Sequence, residues 1–162
     1  MKYILWLLLM FPLLATNCED DPPVAPIEQL PPATQTGEYT FGCLVNGEAF
    51  IPETTRDITS FYQQDVFLIS ASFRELGIAF LLEDQMIKRK TYNLLQSYER
   101  GVEFSATGCR YEYEDLLEGT LTITHFDSIN YIVSGTFEFI TATEGCDTIR
   151  VTDGRFDLPY IP

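Results

Sequence analysis

The sequence predicts an all-β protein, an antiparallel β-sandwich or barrel of about nine or ten strands with hairpin or meander connections. Three observations predict it. Leu121, Ile123, Val133, Phe137 and Phe139 alternate with Thr120, Thr122, Thr124, Thr136 and Glu138, a period of two with threonine facing water. Short apolar runs rich in β-branched and aromatic residues are separated by compact polar breaks such as Asn46-Gly47 and Arg74-Glu75. No stretch after the leader carries a convincing helical period.

Taken in order, the chain of 162 residues begins with Met1-Lys2, an apolar run over 3–14, then Ala15-Thr16-Asn17 and Cys18-Glu19-Asp20-Asp21. The run is shorter than the roughly 20 residues that span a bilayer, so residues 1–17 read as a secretory signal. The step into Cys18 resembles bacterial lipoprotein signals, with Asn17 departing from the Gly, Ala or Ser usual before the cysteine. That resemblance implies acylation of Cys18, an anchor in the outer membrane, and an export role for Glu19, Asp20 and Asp21 that carries the protein to the cell surface; the triplet reads equally as solubilising charge. Several acyl chains on one residue hold firmly, whereas one binds only marginally. Residues 18–37 hold Pro22, Pro23, Pro26, Pro31 and Pro32 and read as a tether. At about 3.1 Å per residue in polyproline II, its nineteen residues after Cys18 would reach roughly 60 Å.

A single β-domain is expected over 38–162. Tyr39, Phe41, Cys43 and Val45 alternate up to Asn46-Gly47, the dipeptide that best supplies two positive φ values in a type I′ hairpin, and Ala49-Phe50-Ile51 returns. Residues 52–64 read as a polar loop. Val66–Phe73 and 76–82 are strand-like, split by Arg74-Glu75, while 83–101 is compatible with strand, helix or loop. Strands are expected at 102–106 and 109–114, with a turn at 115–118 before the threonine-rich pair. Thr143-Glu144-Gly145 turns the chain, Ile149 and Val151 resume the face, and Asp153-Gly154 reads as a bulge before Phe156 and Leu158.

Four segments carry a family resemblance: LPPATQTGEYTFGCLVNG at 30–47, GTLTITHFD at 119–127, SGTFEF at 134–139 and VTDGRFD at 151–157. Together they resemble a family of short Gram-negative surface lipoproteins of no assigned function. The family brings no catalytic residue with it.

Composition narrows the partners. Without residues 1–17 the chain has nine Lys and Arg against 24 Asp and Glu, a formal charge of −15. Such a surface repels nucleic acid phosphates, and the expected contacts are the membrane through the lipid and a surface protein or glycan. No cofactor is expected. His125 is the only histidine and reads as a solvated strand residue, since no nucleophile motif accompanies it. Glu112, Glu114, Asp115 and Glu118 are the densest carboxylates and the candidate for a hard cation, but they lack the D-x-D-x-D-G order, and a solvated acidic turn is preferred. A pair of such carboxylates at suitable separation would also serve a hydrolase such as a glycosidase, the alternative to a non-enzymatic binding module. Tyr92, Tyr98, Tyr111 and Tyr113 suit either a stacking surface or the core.

With Cys18 acylated, Cys43, Cys109 and Cys146 remain. A simple meander from Cys109 onward places Cys109 and Cys146 at opposite ends of the sheet, about 26 Å apart at 3.3 Å per residue, beyond the roughly 7 Å of a disulfide. Cys43 is then the expected partner of Cys146 if the first strand closes against the last ones. Otherwise Cys43 is a small buried hydrophobe.

Overall fold

Alternation of inward and outward side chains builds nearly every strand in the computed structural model of the protein, which describes residues 23–83, 87–95 and 100–162. One helical turn, α1 (Pro26–Gln29), precedes eleven strands: β1 (Thr40–Val45), β2 (Glu48–Phe50), β3 (Ile58–Gln63), β4 (Val66–Phe73), β5 (Leu76–Glu83), β6 (Thr91–Asn93), β7 (Arg100–Ala106), β8 (Cys109–Tyr111), β9 (Leu116–Asp127), β10 (Ile132–Thr141) and β11 (Ile149–Pro159). They form two sheets, β2-β1-β11-β10-β9-β6 and β3-β4-β5-β7-β8, with antiparallel pairing throughout. The protein is therefore an all-β sandwich, as the alternation predicts.

Aromatic rings fill the space between the sheets. Phe80 of one sheet lies 4.8 Å from Phe137 of the other, Phe104 lies 6.3 Å from Phe139, and Phe126 stacks on Tyr160 at 5.3 Å. Each such side chain contributes roughly 1.5–3 kcal/mol on burial, and the offset and edge geometries add to this.

The turns follow their chemistry. Asn46 and Gly47 both have positive φ in the two-residue β1–β2 loop. The expected bulge is also present. Phe137 faces Gly154 but Phe139 faces Val151, so β11 sets two residues, Thr152 and Asp153, against Glu138, and Asp153 has φ 54°. Gly154 is required there, since a Cβ would enter the Phe137 ring.

Several expectations are corrected. The polar loop over 52–64 contains β3, whose residues Ile58, Ser60 and Tyr62 point inward. Its hairpin to β4 turns through Gln64 and Asp65, both left-handed, without the glycine that marks such turns. The unassigned region contributes β6 at Thr91–Asn93. The strand expected over 109–114 stops at Tyr111, where a 3₁₀ turn (Tyr113–Asp115) carries the chain to the other sheet, and β9 begins at Leu116 instead of after a turn. Over residues 23–37 the expected tether is not a free extended spacer: α1 forms with a proline in its first turn, which needs no N–H, and Leu30 is buried.

The crossing after β8 also overturns the cysteine assignment. β9, β10 and β11 do form the expected meander, but β8 pairs with β7 in the other sheet, so register cannot be counted from Cys109 through β9. Cys109 and Cys146 are bonded, with Cα atoms 6.2 Å apart. Cys43 does not pair with Cys146; it is a free, fully buried thiol facing the core. The bridge ties the edge strand β8 to the β10–β11 loop, and the Tyr111 hydroxyl donates to the Asp147 carbonyl at 2.7 Å beside it. On the opposite edge, Tyr62 N–H donates to the Ile161 carbonyl at 2.8 Å and Ile161 N–H to Ser60 at 3.0 Å, so the C-terminal residues cover part of β3.

Cross-linking residues 37 apart constrains the unfolded chain. On a chain-entropy argument, the double variant Cys109→Ala, Cys146→Ala should lose about 4 kcal/mol of unfolding free energy. Urea unfolding with and without reductant checks this, with reduced wild type matching the variant. In non-reducing peptide maps Cys43 should be alkylated only after unfolding.

Candidate functional site

Two places concentrate the chemistry of the described residues: the carboxylate of Asp157 and the outer face of the five-stranded sheet. At the first, alternation sends Phe156 and Leu158 into the core and Asp157 outward, opposite Ser134 on β10 and Thr40 on β1. Asp157 is nevertheless 0% exposed. The segment before β1 crosses over it as a strap. Thr34 Oγ1 donates to the carboxylate at 2.7 Å, Ser134 Oγ at 2.7 Å, and the Thr36 and Gly37 N–H groups at 2.9 Å each, with Glu38 N–H at 3.2 Å. Gly37 has φ 80°, which turns successive N–H groups toward one anion.

Burial alone would raise this carboxyl, but the donors from Thr34, Ser134, Thr36 and Gly37 outweigh it and lower its pKa from 3.8 to about 2. The strap is also seated sterically. A Cβ on Gly42 would meet Pro31 at 2.7 Å, so glycine lets the strap lie against β1. Hence three neighbouring strands each bury three consecutive residues: Phe41, Gly42 and Cys43; Val133, Ser134 and Gly135; Phe156, Asp157 and Leu158. The strap acts there as a third layer.

On the second surface, register aligns Phe61, Leu68, Leu81 and Gly101 in one outward row across β3, β4, β5 and β7. Tyr113 packs against Gly101, where a Cβ would meet its own at 2.9 Å. Leu81 and Tyr113 are 37% and 41% exposed. Leu68, Ala79, Leu81, Glu103 and Tyr113 line a hollow of about 350 Å³. A neighbouring hollow of about 290 Å³ shares Ala79 and Glu103 and is floored by Ser70, Ser72, Gly77 and Ser105. Arg110 borders it, held by Glu103 at 3.1 Å and Glu112 at 2.6 Å, so its charge is already met twice. The surface offers aliphatic and aromatic contact beside small hydroxyls, a composition suited to binding.

The residues singled out from sequence fall elsewhere. Cys18, Glu19, Asp20, Asp21 and Tyr98 lie outside the described residues. Glu112, Glu114, Asp115 and Glu118 do not converge. Asp115 accepts the Glu112 N–H at 3.0 Å to close the 3₁₀ turn, Glu112 pairs with Arg110, and Glu114 and Glu118 are exposed. Among the described residues no group of three or more His, Cys, Asp or Glu could hold a metal ion, and no helix is long and apolar enough to cross a membrane. Tyr92 and Tyr111 are core residues; of the described tyrosines singled out, only Tyr113 reaches the surface. His125 stands opposite Ser134 near the end of β9. Burial pushes the Cys43 thiol up to about 12, so it is protonated and unreactive.

Comparison of the chain with protein-family models, with curated proteins and with solved structures gives no significant match.

The folded pKa of Asp157 lies below its unfolded value, so its contribution is complete above about pH 4 and is lost as pH falls toward about 2. The shift corresponds to about 2 kcal/mol. Asp157→Asn should therefore destabilise the protein at pH 7 by about 2–3 kcal/mol and flatten stability between pH 4 and 2. Urea titrations of both proteins across this range measure the difference. An unchanged slope below pH 4 in the variant would assign acid sensitivity to other carboxylates.

Proposed function

We propose that the protein is a lipid-anchored module of the outer membrane surface that binds a surface protein or glycan without catalysis. The leader, Cys18 and the acidic triplet after it support the anchor, as does the resemblance of four segments to short surface lipoproteins. The observation that carries the binding role is the outward row of Phe61, Leu68, Leu81 and Tyr113 with its two adjoining hollows. Exposed apolar surface of this kind costs solubility unless something covers it in use. The large negative charge keeps such a surface from self-association and from anionic polymers.

Two experiments divide the claim. Palmitate labelling should mark wild type and not Cys18→Ser, and the variant should leave the membrane fraction; an unlabelled wild type contradicts the anchor. For the face, a photo-crosslinker at position 81 should form adducts on intact cells, and Tyr113→Ala should reduce them at least fivefold. Leu81 is partly exposed, so the reporter should alter stability by under about 1 kcal/mol. Absence of adducts from position 81, with adducts from an outward position of the other sheet such as Thr136, would move binding to the opposite face.

A further inference from the structure

We infer that the Asp157-latched strap fixes the edge of the sandwich formed by α1 and the β1–β2 hairpin as the surface that faces the lipid bilayer at short range. The inference rests on the lipid-anchored reading above. It starts from where the described chain leaves the domain. Residues 34–38 are latched to Asp157, Pro31 lies on Gly42, and Leu30 is buried. α1 then packs against β2, and Gln29 Nε2 donates back to the Val24 carbonyl at 3.1 Å, which holds residue 24 beside that edge.

Only four residues lie between Cys18 and Pro23, so the five Cα steps give a contour of at most ~18 Å. An unlatched chain from Cys18 to Thr40 would reach ~65 Å. The opposite edge of the same sheet, β6, lies five strand spacings from β2, ~24 Å away at about 4.8 Å each. The permitted reach is thus shorter than the width of the sheet, so the tether selects an orientation as well as a distance. Val24 and Ile27, 59% and 40% exposed, are the apolar side chains presented at the membrane-facing edge. Glu28 and Glu48 beside them oppose adhesion to an anionic leaflet, so the lipid contact is made by the tether and these two side chains rather than by charge.

Trp6, the only tryptophan, lies in the signal segment, so the processed chain offers a clean background for single-tryptophan reporters. The acylated full-length product carrying Glu48→Trp or Thr91→Trp is incorporated into phosphatidylcholine vesicles containing dansyl-phosphatidylethanolamine, and energy transfer to dansyl is measured. Transfer from position 48 should exceed that from position 91 at least twofold. Inserting fifteen Gly and Ser residues after Asp21, which leaves the latch and the fold untouched, should lower both to a common value. Equal transfer from the two positions before the insertion overturns the orientation while leaving the anchor intact. Failure of the acylated protein to float with vesicles, scored separately, overturns the anchor and the orientation together.

Discussion

The Asp157 carboxylate is the constraint on which the arrangement of the chain depends. A buried anion is tolerated only when donors replace its water, and here Thr34, Thr36, Gly37, Glu38 and Ser134 supply them. Four of the five come from the strap, so the charge holds an otherwise marginal proline-containing segment in place. The consequence reaches the sheet itself. Under the strap, β1, β10 and β11 bury both faces, whereas most outward positions of β9 and β10 beyond it remain in partial contact with water.

A sandwich of two separate sheets has four edges, and this one manages them by different means. β2, β6 and β8 are only three residues long, which limits their use as templates for another chain. β8 is also fastened by the Cys109–Cys146 bond, and β3, the longest edge, is partly covered by Ile161. The outer face of the six-stranded sheet is covered by the strap at one side and dressed with threonine elsewhere. That leaves the outer face of the five-stranded sheet as the broad surface with apolar side chains in water, which is the ground for the proposed binding role.

How much of this could be read from the sequence depended on how local each signal was. β4, β5, β9, β10 and β11 announce themselves by alternation, and the Asn46-Gly47 turn and the Asp153-Gly154 bulge by their backbone chemistry. β3 was hidden because its turn uses Gln64 and Asp65 and because its inward Ser60 interrupts the apolar pattern. The Cys109–Cys146 bond is not legible because nothing in residues 112–115 says that the chain changes sheets there. The strap is the clearest case of missing information. Asp157 sits at an outward position, where an aspartate is ordinary, and four of its five donors lie about 120 residues earlier in a segment that looks like spacer. The carboxylates at 112–118, by contrast, stand out in the sequence by density alone: Asp115 closes a turn, Glu112 joins an ion pair, and Glu114 and Glu118 are exposed. The exposed aliphatic row was invisible for a related reason: Phe61, Leu68 and Leu81 belong to three strands, and only register brings them together.

Native-state hydrogen exchange at the backbone amides of Thr36, Gly37 and Glu38 tests the central claim most directly. These N–H groups have the Asp157 carboxylate as acceptor rather than a strand ladder, so nothing but the latch should slow them. Protection comparable with that of β11 amides, abolished in Asp157→Asn while β11 stays protected, is the result expected of a strap that belongs to the fold. Exchange of the three amides at open-chain rates in the wild type would contradict it.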